Sequence, residues 1–219
     1  MPKDVWGPLV DHYDEWHSYM AGADLVGAVS RAVAGAVPRG YVVELGCGTG
    51  IYTRGIARSC DRVLALDASG PMVEQARVEL AHLANVEVRE ADAYATGLPD
   101  GEADGVVAVN LLHIVPDPEL VVREMRRIVR PGGSVVIADA TVTGLSAARV
   151  LESVWRTVRR PEGFKTYRRG QHDISQTTLE SLVHEAGFES VAGDEIDGKV
   201  MNSAFIRATA PAVSPIVDA

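Results

Sequence analysis

Two cysteines, Cys47 and Cys60, stand among 219 residues. They are too few for a disulfide framework, and their spacing is not that of metal ligands, so no metal is expected. Positive charge is also scarce. Lysine and arginine number 21 against 30 aspartates and glutamates, for a formal net charge of -9. A basic face is the usual footprint of nucleic-acid binding, so no nucleic-acid partner is expected. Long apolar runs are missing, which excludes a bilayer span, and no membrane partner is expected. Met1-Pro2-Lys3-Asp4 leads into polar and aromatic residues, which is not the pattern of a signal peptide, so a cytoplasmic location is expected. Internal repeats and a second domain are absent from the pattern. With 47% apolar residues, the chain suits one α/β domain with a full core, as a monomer or homodimer.

What is present centres on Val42-Val43-Glu44-Leu45-Gly46-Cys47-Gly48-Thr49-Gly50. An apolar strand ends in an acid, and three alternate glycines lead into a helix-compatible run. Glycine takes backbone angles closed to other residues, and the turn is expected to offer bare backbone and its N–H groups to a ligand. The small side chain of Cys47 suits the loop. A dinucleotide site would need a glycine or alanine three residues after Gly48, where Ile51 stands.

The rest of the chain reads in order. Residues 8–36 predict one or two helices, amphipathic through Tyr13, Trp16 and Met20. Val42–Glu44 predicts the first strand and Ile51–Cys60 the first helix after it. Arg62–Asp67 is an apolar run suited to a buried parallel sheet. Its last residue, Asp67, lies about twenty residues past the glycines, where an acid can accept from both ribose hydroxyls, with Ala68 beside it. Ser69 is a candidate N-cap with Pro71 in the first turn. Val86–Arg89 is a short alternating strand, and Ala103–Asn110 predicts the fourth strand. Ligands of open α/β sheets lie outside the carboxyl ends of strands, which puts Asn110, Leu111 and His113 at a ligand. Asp117-Pro118 opens a helix running through Arg130, followed by a strand at Ser134–Asp139. A helix is predicted over Leu145–Arg159, and Thr177-x-x-Glu180 reads as a capping box. Phe188–Ala192 and Lys199–Thr209 predict an antiparallel edge pair, and residues 210–219 a loose tail.

Glu44-Leu45-Gly46-Cys47-Gly48-Thr49-Gly50 resembles motif I of the class I S-adenosylmethionine (SAM)-dependent methyltransferases, small-molecule type. Arg126-Arg127-Ile128-Val129-Arg130-Pro131-Gly132-Gly133 resembles a later motif of the same family. The likeness covers about residues 40–209. It implies a three-layer Rossmann-like α/β fold, with a seven-stranded, mostly parallel sheet and an antiparallel edge strand. Residues 1–39 would be a helical arm, and residues 142–176 an inserted, lid-like segment. SAM is the implied cofactor and S-adenosylhomocysteine its product. By the resemblance, the loop of Gly46, Cys47, Gly48 and Gly50 passes under the methionine portion, and Glu44 orients the loop or meets the ammonium. Met72, Asp92 and Ala93 meet the adenine, Tyr13 reaches the cofactor from the arm, and Asn110 and Leu111 line the methyl-donor channel. The expected enzyme moves a methyl group to an O or N nucleophile of a small organic molecule, a metabolite or natural product. Methylation of a macromolecule, and a non-methyl reaction on the same scaffold, stay open. So does a non-catalytic SAM-binding role. The Asn/Asp-Pro-Pro-Tyr/Phe signature of nucleic-acid amino methylation is absent where Asn110-Leu111-Leu112-His113 stands.

His113 is the candidate base, because histidine suits proton removal near neutral pH. Trp16, Tyr19, His113, Trp155, Tyr167, Arg168 and His172 are candidate acceptor contacts. Aromatics offer large contact area to a planar acceptor, and guanidinium groups pair with anionic or carbonyl oxygens.

Overall fold

The computed structural model describes residues 6–160 and 174–212. Seven strands form one sheet: β1 (Tyr41–Leu45), β2 (Arg62–Asp67), β3 (Val86–Glu90), β4 (Ala103–Val109), β5 (Val129–Thr141), β6 (Glu189–Asp197) and β7 (Asn202–Thr209). Their order is β3-β2-β1-β4-β5-β7-β6. The first five run parallel, and β7 pairs antiparallel with both β5 and β6. The helices are α1 (Tyr13–Ala21), α2 (Ala23–Ala36), α3 (Thr53–Ile56), α4 (Gly70–Leu80), α5 (Pro118–Ile128), α6 (Ala147–Arg159) and α7 (Gln176–Glu185), preceded by a 3-10 turn over Gly7–His12. The expected three-layer, mostly parallel architecture is the one observed.

Strand composition explains the layering. β1, β2 and β4 are buried on both faces and read as near-continuous valine, leucine and alanine. Side chains alternate between faces. Val43 and Leu45 pack with Val121, Met125 and Leu179 on one side, and Val42 packs with Leu25, Val29 and Val33 on the other. β6 is one edge of the sheet and β3 the other. The exposed Asp194, Glu195 and Asp197 of β6 discourage pairing with another chain. The chain leaves β1 toward β2 and later returns to β4 on the other side. That reversal opens a crevice at the carboxyl ends of β1 and β4.

Four local readings differ from expectation. The helix expected over Ile51–Cys60 is regular only at Thr53–Ile56. Around it the chain makes tighter bonds, Gly55 N–H to Tyr52 O and Ser59 N–H to Ile56 O, as three-residue turns do. The helix expected through Arg130 ends at Ile128, because Val129 is already extended and pairs with Ala103. The cap of α7 is Ser175, whose hydroxyl accepts from Thr178 N at 3.2 Å, and not Thr177. The last two strands are offset from their expected bounds, Glu189–Asp197 against Phe188–Ala192 and Asn202–Thr209 against Lys199–Thr209.

Candidate active site

The glycine loop lies between β1 and α3. Gly46, Gly48 and Gly50 all have positive φ, at 71°, 54° and 88°. Their N–H groups are already bonded within the chain: Gly46 to Leu66 O at 2.8 Å, Gly50 to Cys47 O at 2.9 Å, and Gly48 to Asp67 Oδ2 at 2.8 Å. The loop therefore offers a ligand bare Cα surface, and not the three N–H donors expected from sequence. Two glycines serve packing. A Cβ at Gly46 would stand 2.8 Å from Leu111 Cδ1, and one at Gly50 2.7 Å from Leu80 Cδ1. At Gly48 the nearest atom to such a Cβ is Tyr13 Cε1 at 3.6 Å, so the arm's tyrosine lies over the loop.

Asp67 joins two elements. Its Oδ2 takes the Gly48 amide, and its Oδ1 takes the Ser69 amide at 2.9 Å, at the start of α4. The carboxylate thereby fixes the glycine loop against a helix N-terminus. Ala68 beside it is exposed, Met72 is buried, and Asp92 stands exposed just past β3, where its Oδ1 accepts from Tyr94 N at 2.9 Å. Ala93 follows, half-buried.

Glu44 sits at the end of β1 and is 1% exposed. Thr53 Oγ1 donates to its Oε2 at 2.5 Å, which ties the acid to the helix after the loop. Burial pushes its carboxyl up to about 8, opposed by the Thr53 hydrogen bond and aided by Asp67. An ordinary glutamate at 4.5 describes the unfolded chain. Between those values the folded chain holds a proton that the unfolded chain has released. Stability of the ligand-free protein should therefore fall as pH rises from about 4.5 to about 8, then level off. Glu44→Gln should remove that slope while keeping the bond to Thr53. Urea titrations across the window check this, and an unchanged slope would contradict it.

The carboxyl end of β4 carries the second cluster. Asn110 has φ 53°, a conformation that asparagine tolerates better than most residues. Its side chain bridges two elements. Oδ1 accepts from Ala140 N at 3.0 Å, and Nδ2 donates to Tyr52 OH at 3.1 Å. Tyr52 OH lies 2.9 Å from His17 Nε2 on the arm. Asn110 Nδ2, which can only donate, also lies 3.4 Å from His17 Nε2, so Nε2 is the acceptor and the neutral ring carries its proton on Nδ1. Burial, with His113 nearby, lowers His17 to about 4 against a weaker opposite pull from Asp14, in keeping with that neutral ring. Burial also raises the phenols of Tyr13 and Tyr52 and the thiol of Cys47.

Three residues past Asn110, His113 is 7% exposed. Its Nδ1 pairs with Oδ1 of Asp139, a fully buried residue at the end of β5, whose Oδ2 accepts from Leu112 N at 2.7 Å. The carboxylate holds Nδ1 as the donor, so Nε2 is the acceptor nitrogen of the neutral ring.

The arm closes over both clusters. Asp14 Oδ1 accepts from the Thr49 hydroxyl in the glycine loop, and the Tyr13 ring stacks on His17 at 5.8 Å. Arm and α6 also meet, through Arg156 over the Tyr19 ring at 5.1 Å and Arg160 Nη2 to Glu15 at 2.8 Å. Beneath them lies a cavity of about 110 Å³, lined in part by Tyr13, Trp16, His17, Asn110, His113 and Arg160. Trp16 Nε1 is buried in its wall with no hydrogen-bond partner.

Of the residues expected at the acceptor, Trp16 and His113 line this cavity. Tyr19 instead packs under Arg156 and Arg160, and Trp155 stands 47% exposed on the outer side of α6. Tyr167, Arg168 and His172 lie outside the described residues. His17 in the cavity wall was not expected, nor were Tyr52 and Asp139, which hold His17 and His113 from behind it. His17 follows Tyr13 by four residues and so shares its helix face, a signal that was available. Among the described residues no group of histidines, cysteines and acids could hold a metal ion.

The fold and this pair of clusters define an α/β domain with an acid-braced glycine loop at the end of β1 and a small buried cavity beside it. A family model described as a methyltransferase domain matches residues 43–137. The ubiquinone biosynthesis O-methyltransferase of Thiobacillus denitrificans is 32% identical over 168 residues, covering 74% of this chain and 68% of that one. The phosphatidylethanolamine N-methyltransferase of Cereibacter sphaeroides is 42% identical over 107 residues, covering 46% of this chain and 50% of that one. A solved SAM-dependent methyltransferase of Thermotoga maritima superposes with a TM-score of 0.71 at 20% identity, over 94% of this chain and 98% of that one. The chain belongs to the class I SAM-dependent methyltransferase family. It spans about half the length of several of the curated relatives it matches.

Proposed function

We propose that this protein transfers the methyl group of SAM to an oxygen or nitrogen nucleophile of a small organic acceptor seated in the cavity beneath the arm. The observation that carries this reading is His113 in the cavity wall, held by the buried Asp139 behind it, directly after the strand that flanks the glycine loop. SAM supplies a methyl group on a positively charged sulfur. The residues present fit it. A bare glycine loop can take the methionine portion, Glu44 and Thr53 brace that loop, Asp67 can accept from ribose hydroxyls, and Met72, Asp92 and Ala93 border the adenine side.

The chain's own groups do the remaining work. Asp139 orients His113 and stabilises its imidazolium once it has taken the proton of a hydroxyl acceptor. Asn110, Tyr52 and His17 fix the floor between seat and cavity. The arm and α6 cover the cavity and exclude water, which strengthens the fixed electrostatics inside. In this reading residues 6–39 and 142–160 form one cover. Holding the nucleophile in line can supply several kcal/mol of barrier reduction, about the scale of positioning effects.

One named relative is an O-methyltransferase of ubiquinone biosynthesis and the other an N-methyltransferase of phosphatidylethanolamine, which supports a non-polymeric acceptor without choosing the atom. The test is transfer of label from methyl-labelled SAM into a cell extract separated by size. Label in the low-molecular-weight fraction supports the reading. Label confined to protein or RNA moves the acceptor to a macromolecule, and no transfer points to a non-methyl or non-catalytic role.

A further inference from the structure

Helix α6 presents its two faces the wrong way round for a soluble domain. Its inner arc is polar: Arg149 Nη2 donates to Gly198 O at 2.6 Å, Arg156 Nε to Glu152 at 2.7 Å, and Ser153 and Thr157 line the cavity. Its outer arc carries Val150, Leu151, Val154, Trp155 and Val158, all exposed, with Leu151 at 69% and Val158 at 72%. No residue of the helix is buried. An amphipathic helix on a globular domain turns its apolar arc to the core, so among the described residues this arc lacks the partner its composition calls for.

We propose that the outer arc of α6 docks this protein onto a lipid bilayer surface bearing anionic headgroups. The composition of the arc favours that occupant. Its exposed cation is Arg159, since Arg149 is bonded to Gly198 O, Arg156 to Glu152 and Arg160 to Glu15 on the inner side. At the end of the arc the Arg159 guanidinium lies 4.3 Å over the Trp155 ring. An indole beside a cation, next to aliphatic side chains, is the composition of an interfacial helix that lies in the headgroup region. The size of the patch also favours it. A helix of 13 residues is about 20 Å long, and one face of it falls well short of the ~800 Å² per partner of a stable protein interface. The contact is peripheral, since no helix among the described residues is long and apolar enough to cross a membrane.

The experiment is cosedimentation of the full chain with vesicles of phosphatidylcholine alone and of phosphatidylcholine mixed with phosphatidylglycerol. The mixed vesicles should bind the protein, and binding to phosphatidylcholine alone should be about tenfold weaker or less. A double variant, Leu151→Asp with Val158→Asp, should lose about tenfold or more of the vesicle binding. Its affinity for S-adenosylhomocysteine should be unchanged, which shows that it is folded. Failure to sediment with either vesicle would overturn the proposal, as would full binding by the double variant. A dimer seen by light scattering and dissolved by the same substitutions, with no vesicle binding, would assign the arc to a second copy and also overturn it. None of these readouts needs methyl transfer, so they stand apart from the proposed reaction.

Discussion

Replacing Asp67 by alanine is expected to weaken SAM and S-adenosylhomocysteine binding at least tenfold while leaving the fold in place. The carboxylate accepts from Gly48 N and Ser69 N, so it sets the glycine loop against the start of α4 before any ligand arrives. It is also the acid at the β2 end that can accept ribose hydroxyls. Hydrogen bonds to a charged group contribute about 1.5–3 kcal/mol each, and losing one such bond already gives about a tenfold change. Gly48 and Ser69 would keep their positions less well, adding to the loss. Asp67→Asn, which retains one acceptor oxygen, should fall between the two. Calorimetric titration with S-adenosylhomocysteine, with circular dichroism to confirm folding, reads the effect. Unchanged affinity in a folded alanine variant would remove the cofactor seat from this position.

His113→Ala should lower methyl transfer by about 100-fold or more, with cofactor affinity nearly kept. The argument is geometric. The ring lines the cavity, and the buried Asp139 fixes Nδ1 as donor and so Nε2 as acceptor. Asp139→Asn keeps the shape but can present an N–H to Nδ1 and reverse the tautomer, so it should also depress the rate. Asp139 further takes the Leu112 amide, and Asp139→Ala would leave that buried donor unpaired at about 1–3 kcal/mol. Asparagine is therefore the informative substitution. An acceptor that is already nucleophilic, such as a neutral amine, would leave both variants active and would assign His113 to packing.

How far the sequence reaches is seen in which residues it placed. The apolar strands, the glycine turn and Asp67 follow from local spacing: runs that only a two-sided sheet can bury, and an acid at the end of the next strand. The roles of the glycines were read less well, because hydrogen bonding to Leu66 O and Asp67 depends on how β2 lies beside the loop. His17 and Tyr52 meet Asn110 only once the arm folds back across the sheet, a contact between residues 93 and 58 positions apart. Asp139 read as an ordinary strand end until the parallel pairing of β4 and β5 brought it beside His113. The outer face of Trp155 shows the converse. Its residue type pointed to the acceptor, but the polar arc of α6 takes the inner side and turns the indole outward.

The central claim is that one site joins the cofactor seat at Gly48 and Asp67 to the cavity at His113. A crystal structure with S-adenosylhomocysteine tests it most directly. The account predicts the ribose hydroxyls on Asp67, the methionine portion over the glycine loop, and the sulfur facing the cavity lined by Asn110 and His113. A ligand bound elsewhere, or one whose sulfur faces away from that cavity, would contradict it.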